Sequence, residues 1–304
     1  METIGIPRAL GFHYMGELWK EFFERLGFKV LISPETDADM VDKGVKNSDT
    51  DLCFAVKIYV GHILKLKDKV DYIFIPDISS KGKYFCSYYL ALYDLIKNMF
   101  PKLKILTADL KIDSEYNLLE KENEFYKIGK KLGKTKKEIG GVLDSSIKKW
   151  KKQIKKEEIE DLKKLKLKKY KIAIIGAEYV VKDKFCLMDI PKYLEEENAV
   201  PIFFYYAKHI KDYNLGFEVR WALEQELINK FMEAVKLKGI DGIIYITPFS
   251  CGPCFLFYEQ VISKHNKKTL ILNIDESQNK TRIKTRIEAF MDVINKNNNL
   301  KIKQ

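Results

Sequence analysis

Asp241-Gly242-Ile243-Ile244-Tyr245-Ile246-Thr247-Pro248-Phe249-Ser250-Cys251-Gly252-Pro253-Cys254 passes from an apolar run, through a turn, to a C-x-x-C motif. The run from Gly242 to Ile246 has the length and content of a strand, and Phe255 to His265 continues with helical spacing. A strand that hands over to a helix through a polar turn is the unit from which open parallel sheets are built. In such sheets ligands gather beyond the carboxyl ends of the strands.

The same alternation extends outward from this stretch. In the first third, strand patterns at Thr3 to Ile6, Lys29 to Ile32, Asp71 to Ile75 and Lys104 to Leu106 alternate with helical ones. The helices fall at Tyr14 to Leu26, where Leu18, Phe22, Phe23 and Leu26 share a face, and at Ala38 to Lys46, Phe54 to Leu66 and Ser87 to Asn98. In the last third, strands at Lys171 to Ile175, Pro201 to Phe204 and Thr269 to Asn273 accompany helices at Met188 to Glu197, Phe217 to Lys236 and Ile283 to Ile294. Between them, from about Ser114 to Lys169, the strand signal disappears and a lysine-rich helical spacing takes over. The expected architecture is α/β: two Rossmann-like parallel-sheet domains, residues 1–114 and 170–304, joined by a helical connector at 115–169.

Composition bounds the function. The 304 residues, 46% hydrophobic and 32% charged, belong to the globular class, with enough chain for two cores. No apolar run reaches the roughly 18 to 20 residues of a membrane span, and Met1 to Gly11 lacks the basic-then-apolar pattern of a secretion signal. A cytoplasmic protein without a membrane partner is expected. The net charge of +11 is concentrated between Lys148 and Lys171, where Glu157, Glu158, Glu160 and Asp161 interleave with lysine. That stretch reads as a solvated helix face or as a docking surface for an acidic or phosphate-bearing partner; no nucleic-acid-binding motif accompanies it.

Five cysteines in a reducing compartment point to metal ligands, redox centres or core residues rather than disulfides. Cys53, Cys86 and Cys251 each sit where a loop meets the start of a helix, and in the expected fold all three face one crevice between the domains. At Cys251 and Cys254 a helix N-terminus would stabilise a thiolate, which suits a metal ligand or a reactive dithiol. The Cys-Gly-Pro-Cys core is that of thioredoxin, but it lies deep in the second domain, after Pro248-Phe249-Ser250. Packing of both cysteines in a core is the third alternative. Cys186, beside Phe185 and Leu187, reads as core, and His13, His209 and His265 as surface residues. His62 is read as a partly buried structural residue or as a donor to a cluster sulfide. Asp275-Glu276 would serve acid–base chemistry or cap the following helix, and Arg8 would meet an anionic group or an inter-domain carboxylate. Arg286 and Glu288 are expected to tie the last helix to the sheet.

Several ordered segments resemble the 2-hydroxyacyl-CoA dehydratase D-component family, more closely its acyl-CoA dehydratase activase-related and double-cubane-cluster relatives. They are Ile4-Gly5-Ile6-Pro7-Arg8-Ala9-Leu10; Leu18-Trp19 with Phe22-Phe23 and Leu26-Gly27; Cys53 with Lys57 and Gly61-His62; and Asp71 to Pro76. Cys86 with Asp94-Leu95-Ile96, Phe249-Ser250-Cys251-Gly252-Pro253, Asp275-Glu276 and Thr285 to Phe290 complete the series. The resemblance implies that Cys53, Cys86 and Cys251 ligate a [4Fe–4S] cluster or half of a double-cubane [8Fe–9S] cluster, with Cys254 the local candidate for a fourth ligand. It implies low-potential electron transfer or reductive chemistry with an ATP-dependent iron–sulfur activator protein, and pairing as a homodimer or with a homologous subunit. Alternatives are a 2-hydroxyacyl-CoA dehydratase subunit with an acyl-CoA substrate, a cluster-binding scaffold without catalysis, and a dithiol oxidoreductase using Cys251 and Cys254. No G-x-x-x-x-G-K-[ST] loop is present, so ATP hydrolysis would belong to the activator. Four positions depart from the family pattern: Ala55 and Ser87 replace prolines, Asp77 an arginine, and Ser277 to Lys280 a stretch containing histidine and glycine.

Overall fold

Apolar β-branched runs separated by amphipathic helices build two sheets, as the computed structural model shows for residues 1–112, 118, 119, 121–205, 213, 215–277 and 279–301. The chain divides into two compact units, Met1–Lys156 with Val219–Leu223, and Glu157–Glu218 with Glu224–Gln304.

In the first unit the elements run β1 (Thr3–Ile6), α1 (Phe12–Arg25), β2 (Lys29–Ile32), α2 (Ala38–Lys46), α3 (Phe54–Leu66), β3 (Tyr72–Phe74), β4 (Asp77–Ser80), α4 (Ser87–Leu90), α5 (Leu92–Met99), β5 (Ile105–Leu106), β6 (Asp109–Ile112), β7 (Leu118–Leu119) and α6 (Lys121–Lys131). β2-β1-β3-β5 form a four-stranded parallel sheet. Trp19, Phe22 and Phe23 of α1 pack edge-on against Phe74 of β3 and Phe125 of α6. α2 and α3 cross closely because both carry glycine at the contact: a Cβ on Gly44 would lie 2.1 Å from the Lys57 carbonyl oxygen, and one on Gly61 2.2 Å from that of Met40. This crossing sets where α3 begins, and so where Cys53 stands.

Three strands lie outside the sequence expectation. β4, β6 and β7 make a small mixed sheet in the order β4-β6-β7. Asp77-Ile78-Ser79-Ser80 carries one apolar residue and gives no periodicity, whereas Leu110 and Ile112 of β6 alternate inward. β7 corrects the expectation that strands cease after Ser114: a two-residue strand is too short for a pattern to register. The helix expected over Ser87 to Asn98 is broken at Ala91, because the Tyr93 N–H goes to Asp77 Oδ1, at 3.2 Å, rather than to a helical carbonyl.

α7 (Lys136–Lys164) begins at a capping box, in which Thr135 N–H and Oγ1 donate to Glu138 Oε2 at 2.8 and 2.6 Å. Its stripe of Ile139, Leu143, Ile147 and Trp150 is buried, and the division between units falls within it, after Lys156. Most of its lysines are exposed, while Lys149 pairs with Glu21 of α1.

The second unit continues with β8 (Tyr170–Ile175), α8 (Glu178–Val181), α9 (Ile190–Glu196), β9 (Ala199–Ile202), α10 (Ala222–Lys236), β10 (Gly242–Pro248), α11 (Gly252–Gln260), β11 (Thr269–Ile274) and α12 (Lys280–Lys301). Its sheet is parallel throughout, in the order β11-β10-β8-β9. β9 ends before Phe203 because the buried Asp161 carboxylate takes the Phe203 and Phe204 N–H groups, at 2.9 and 2.7 Å. α10 starts at Ala222, later than expected, because residues 219–221 lie extended against Tyr84. Among the described residues no helix is long and apolar enough to cross a membrane.

Candidate functional site

Cys53, Cys86 and Cys251 are the residues that immediately precede α3, α4 and α11, each in the N-cap position. None of the five cysteines is in a disulfide. An N-cap residue faces the amides of the first helical turn, whose partial positive charge favours a thiolate over a thiol at the longer helices.

In the first unit the thiols of Cys53 and Cys86 both act on one phenol, that of Tyr88 in α4. Its pKa is raised by burial first, then by Cys53 and Cys86, with Asp51 and Asp49 adding to the effect. Cys53 is nearly buried, at 9% exposed, and Cys86 is half-buried. The segment leading to Cys86 is held by the returning chain: Tyr84 N–H donates to the Arg220 carbonyl at 2.7 Å, Ala222 N–H donates to that of Tyr84 at 2.9 Å, and the Tyr84 and Trp221 rings lie 5.9 Å apart.

In the second unit the site forms where the strand order reverses. From β8 the chain goes to β9 on one side and then returns to β10 on the other, which makes the β8–β10 boundary a topological switch point. Tyr179 follows β8 and Cys251 follows β10, and the Tyr179 hydroxyl hydrogen-bonds the Cys251 thiol. α8 is anchored by Lys182, which bridges Glu178, at 2.9 Å, and Glu157, at 2.8 Å. Ser250, with φ of +69°, makes the left-handed turn that swings the chain from β10 into α11. Cys251 Sγ then lies 3.2 Å from Cys254 Sγ.

The two thiols differ sharply. Cys251 is lowered to about 7, chiefly by the Cys254 thiol donating to it, with the Cys254 N–H and Tyr179 hydroxyl assisting against its burial. Cys254 is raised by that same thiol bond and by burial, at 3% exposed. Tyr245, whose hydroxyl donates to the Cys254 carbonyl at 2.8 Å, and Thr247 complete the wall behind it. In front is a cavity of about 630 Å³ lined by Thr247, Phe249, Ser250, Phe255 and Asn273 among others.

Thiolate sulfur is the donor that iron–sulfur clusters use, so the chemistry of the three N-cap positions fits such a group. Among the described residues no group of three or more His, Cys, Asp or Glu side chains is gathered to hold a metal ion. Cys53 and Cys86 are associated in one unit, and Cys251 and Cys254 in the other.

The remaining candidates have structural partners. His62 is fully buried, with Nδ1 2.8 Å from Ser33 Oγ and Nε2 3.0 Å from Thr36 Oγ1; both nitrogens are engaged, and burial lowers its pKa to about 3. Cys186 is core, its thiol pushed up by burial. His13 and His265 are half-buried rather than on the surface, because rings of Phe12 and Phe231 pack against them; His209 lies outside the described residues. Arg8 donates to the Ser33 carbonyl at 3.2 Å and lies 3.9 Å from Glu35, a carboxylate of its own unit. Asp275 does not cap α12: it accepts from Ser277, while Asn279 Oδ1 accepts the Thr281 N–H at the helix start. Arg286 ties α12 to the Ile271 carbonyl of β11, at 2.6 Å, whereas Glu288 turns to Lys284 of its own helix. Sequence reasoning missed Tyr88, Tyr179 and Tyr245; only Tyr179, just past a strand end, carried a positional signal.

A family model described as a CoA enzyme activase uncharacterised domain (DUF2229) matches residues 3–205. That span contains Cys53 and Cys86 and ends before Cys251 and Cys254. The comparison with curated proteins finds no match.

Proposed function

The chain belongs to the CoA enzyme activase uncharacterised domain family, and from that premise we propose that it is an iron–sulfur protein of a CoA enzyme activase system, carrying low-potential electrons. The observation that supports this reading most is the recurrence of one device: a cysteine in the N-cap position of α3, of α4 and of α11. Recurrence across two separate sheets argues against three accidents of core packing.

When bound, the cluster would supply one-electron chemistry at low potential. The chain's own residues do the rest. Cys53, Cys86 and Cys251 are the proposed ligands, and Cys254 is the proposed local fourth thiol, 3.2 Å from Cys251. The partial positive charge at the N-termini of α3 and α11 favours the thiolate state, which lowers the cost of placing negative charge there. Tyr88 lies within electrostatic reach of the Cys53 and Cys86 thiols, which add to burial in raising its pKa. Lacking a phosphate loop, the chain would receive its electrons from an ATP-hydrolysing activator.

The test is anaerobic purification followed by iron and acid-labile sulfide analysis and an absorbance spectrum. The wild type should carry iron and sulfide in near-equal amounts, and Cys53→Ala, Cys86→Ala and Cys251→Ala should each lose most of both. Full retention by any one variant removes that residue from the ligand set; a wild type without iron or sulfide after reconstitution ends the proposal.

A further inference from the structure

We propose that Cys251 and Cys254 form a reversible thiol–disulfide couple, in which Cys251 attacks a disulfide substrate at the cavity and Cys254 resolves the mixed disulfide. This concerns the protein without a cluster and does not rest on the family match, which ends at residue 205. Oxidation of the pair would also take Cys251 out of the ligand set proposed above.

Position, asymmetry and access carry the inference. The sulfurs are 3.2 Å apart within one helical turn, so closing them to a bond needs only a small shift. Both residues line the cavity of about 630 Å³, but Cys251 is half-buried whereas Cys254 is only 3% exposed. The donors converging on Cys251 are the Cys254 thiol, the Cys254 N–H and the Tyr179 hydroxyl. Among the described residues, the titratable groups around the pair are Tyr179 from α8, Tyr245 from β10 and the cysteines themselves; β11 contributes the neutral Asn273 to the cavity wall. Thus the half-buried sulfur is placed to attack, and the buried one, 3.2 Å away, is placed to resolve.

The cavity selects the substrate class. Its rim carries Phe249 and Phe255, 55% and 61% exposed, and the adjoining Leu256 is 42% exposed. Among the described residues no charged side chain lines the cavity, so a disulfide with apolar or aromatic substituents fits it better than one bearing several charges. In the reaction the Cys251 thiolate attacks one substrate sulfur, the substrate S–S bond breaks, and the departing thiolate takes a proton from water. Cys254 then gives up its proton and attacks Cys251 Sγ, and the second substrate thiol leaves. Two protein thiols are oxidised to one disulfide while the substrate disulfide is reduced to two thiols.

The experiment uses the full chain, reduced, stripped of metal with a chelator and kept anaerobic, and exposed to glutathione disulfide or to an aromatic disulfide built on alkyl thiols, dibenzyl disulfide, so that the two leaving thiols have similar acidity. Mass spectrometry of the wild type should show loss of two hydrogens mapped to a Cys251–Cys254 bond, formed at least several-fold faster with the aromatic reagent. Cys254→Ser should stop at a mixed disulfide on Cys251, and Cys251→Ser should form none at Cys254. Thiols that both remain alkylatable after excess reagent, or a mixed disulfide on Cys254, would overturn the couple; equal rates with the two reagents would overturn the apolar substrate class. Should a variant lose its circular dichroism signal, the wild-type disulfide mapping decides alone. Loss of the couple leaves wild-type iron content unaffected, so this failure and that of the cluster reading are told apart.

Discussion

Asp77 stands at the start of β4, half-buried, with Oδ1 accepting the Tyr93 N–H that opens α5. Burial pushes its carboxyl up to about 6, with Asp94 and Asp109 adding repulsion against that hydrogen bond. A native pKa above the unfolded one means that the fold holds the proton more tightly, so the stabilisation is complete below about pH 4 and is lost as pH rises through 6. Asp77→Asn, which keeps an acceptor for Tyr93, should raise stability by about 1–2 kcal/mol at pH 8, discounted for partial solvation, and leave it nearly unchanged at pH 4. Urea denaturation at the two pH values checks this, and an equal effect at both would refute it. At this scale the sequence identified which cysteines to watch, because a residue type and its place before a helix are local facts. It did not identify Tyr88 or Tyr179, whose importance arises from the sulfur each one faces.

Among the elements, the α2–α3 crossing connects packing to the site most directly. Both glycines approach the backbone of the opposite helix, so neither an added methyl nor a rotamer change can relieve the contact. Gly61→Ala should cost about 1–3 kcal/mol by forcing the helices apart, and should speed alkylation of Cys53 at the displaced start of α3. Gly141→Ala in α7, where an added Cβ meets nothing within 4 Å, is the control and should stabilise by about 0.5–1 kcal/mol. Denaturation midpoints and alkylation rates of both variants are the measurements; an unshifted Gly61→Ala would show that the crossing is soft. Element boundaries were legible where the local pattern was uncontested. β1, β2, α2 and α3 fall at the expected residues. Boundaries moved where a distant group claimed a backbone amide: Asp77 divides α4 from α5, and Asp161 ends β9.

At the scale of the whole molecule the chain crosses between its two units more than once. Residues 219–223, which follow β8, α8, α9 and β9 of the second unit, return to the first and pin Tyr84, two residues before Cys86. A fragment of residues 1–156 lacks that clamp, and its Cys86 should be alkylated several-fold faster than in the full chain; Trp221→Ala in the full chain should show part of the same increase. Equal rates in all three proteins would mean that the clamp does not order this segment. Sequence by itself determined the α/β class, the succession of parallel strands and the helix-capping place of Cys53, Cys86 and Cys251, because periodicity and capping are set within a few residues. Only the tertiary structure decided that Cys251 and Cys254 touch while differing in proton affinity, that Tyr179 serves the same sulfur, and that Trp221 secures the approach to Cys86. Each of those depends on groups brought together across the chain, where burial and a neighbour's donor outweigh anything the local residues specify.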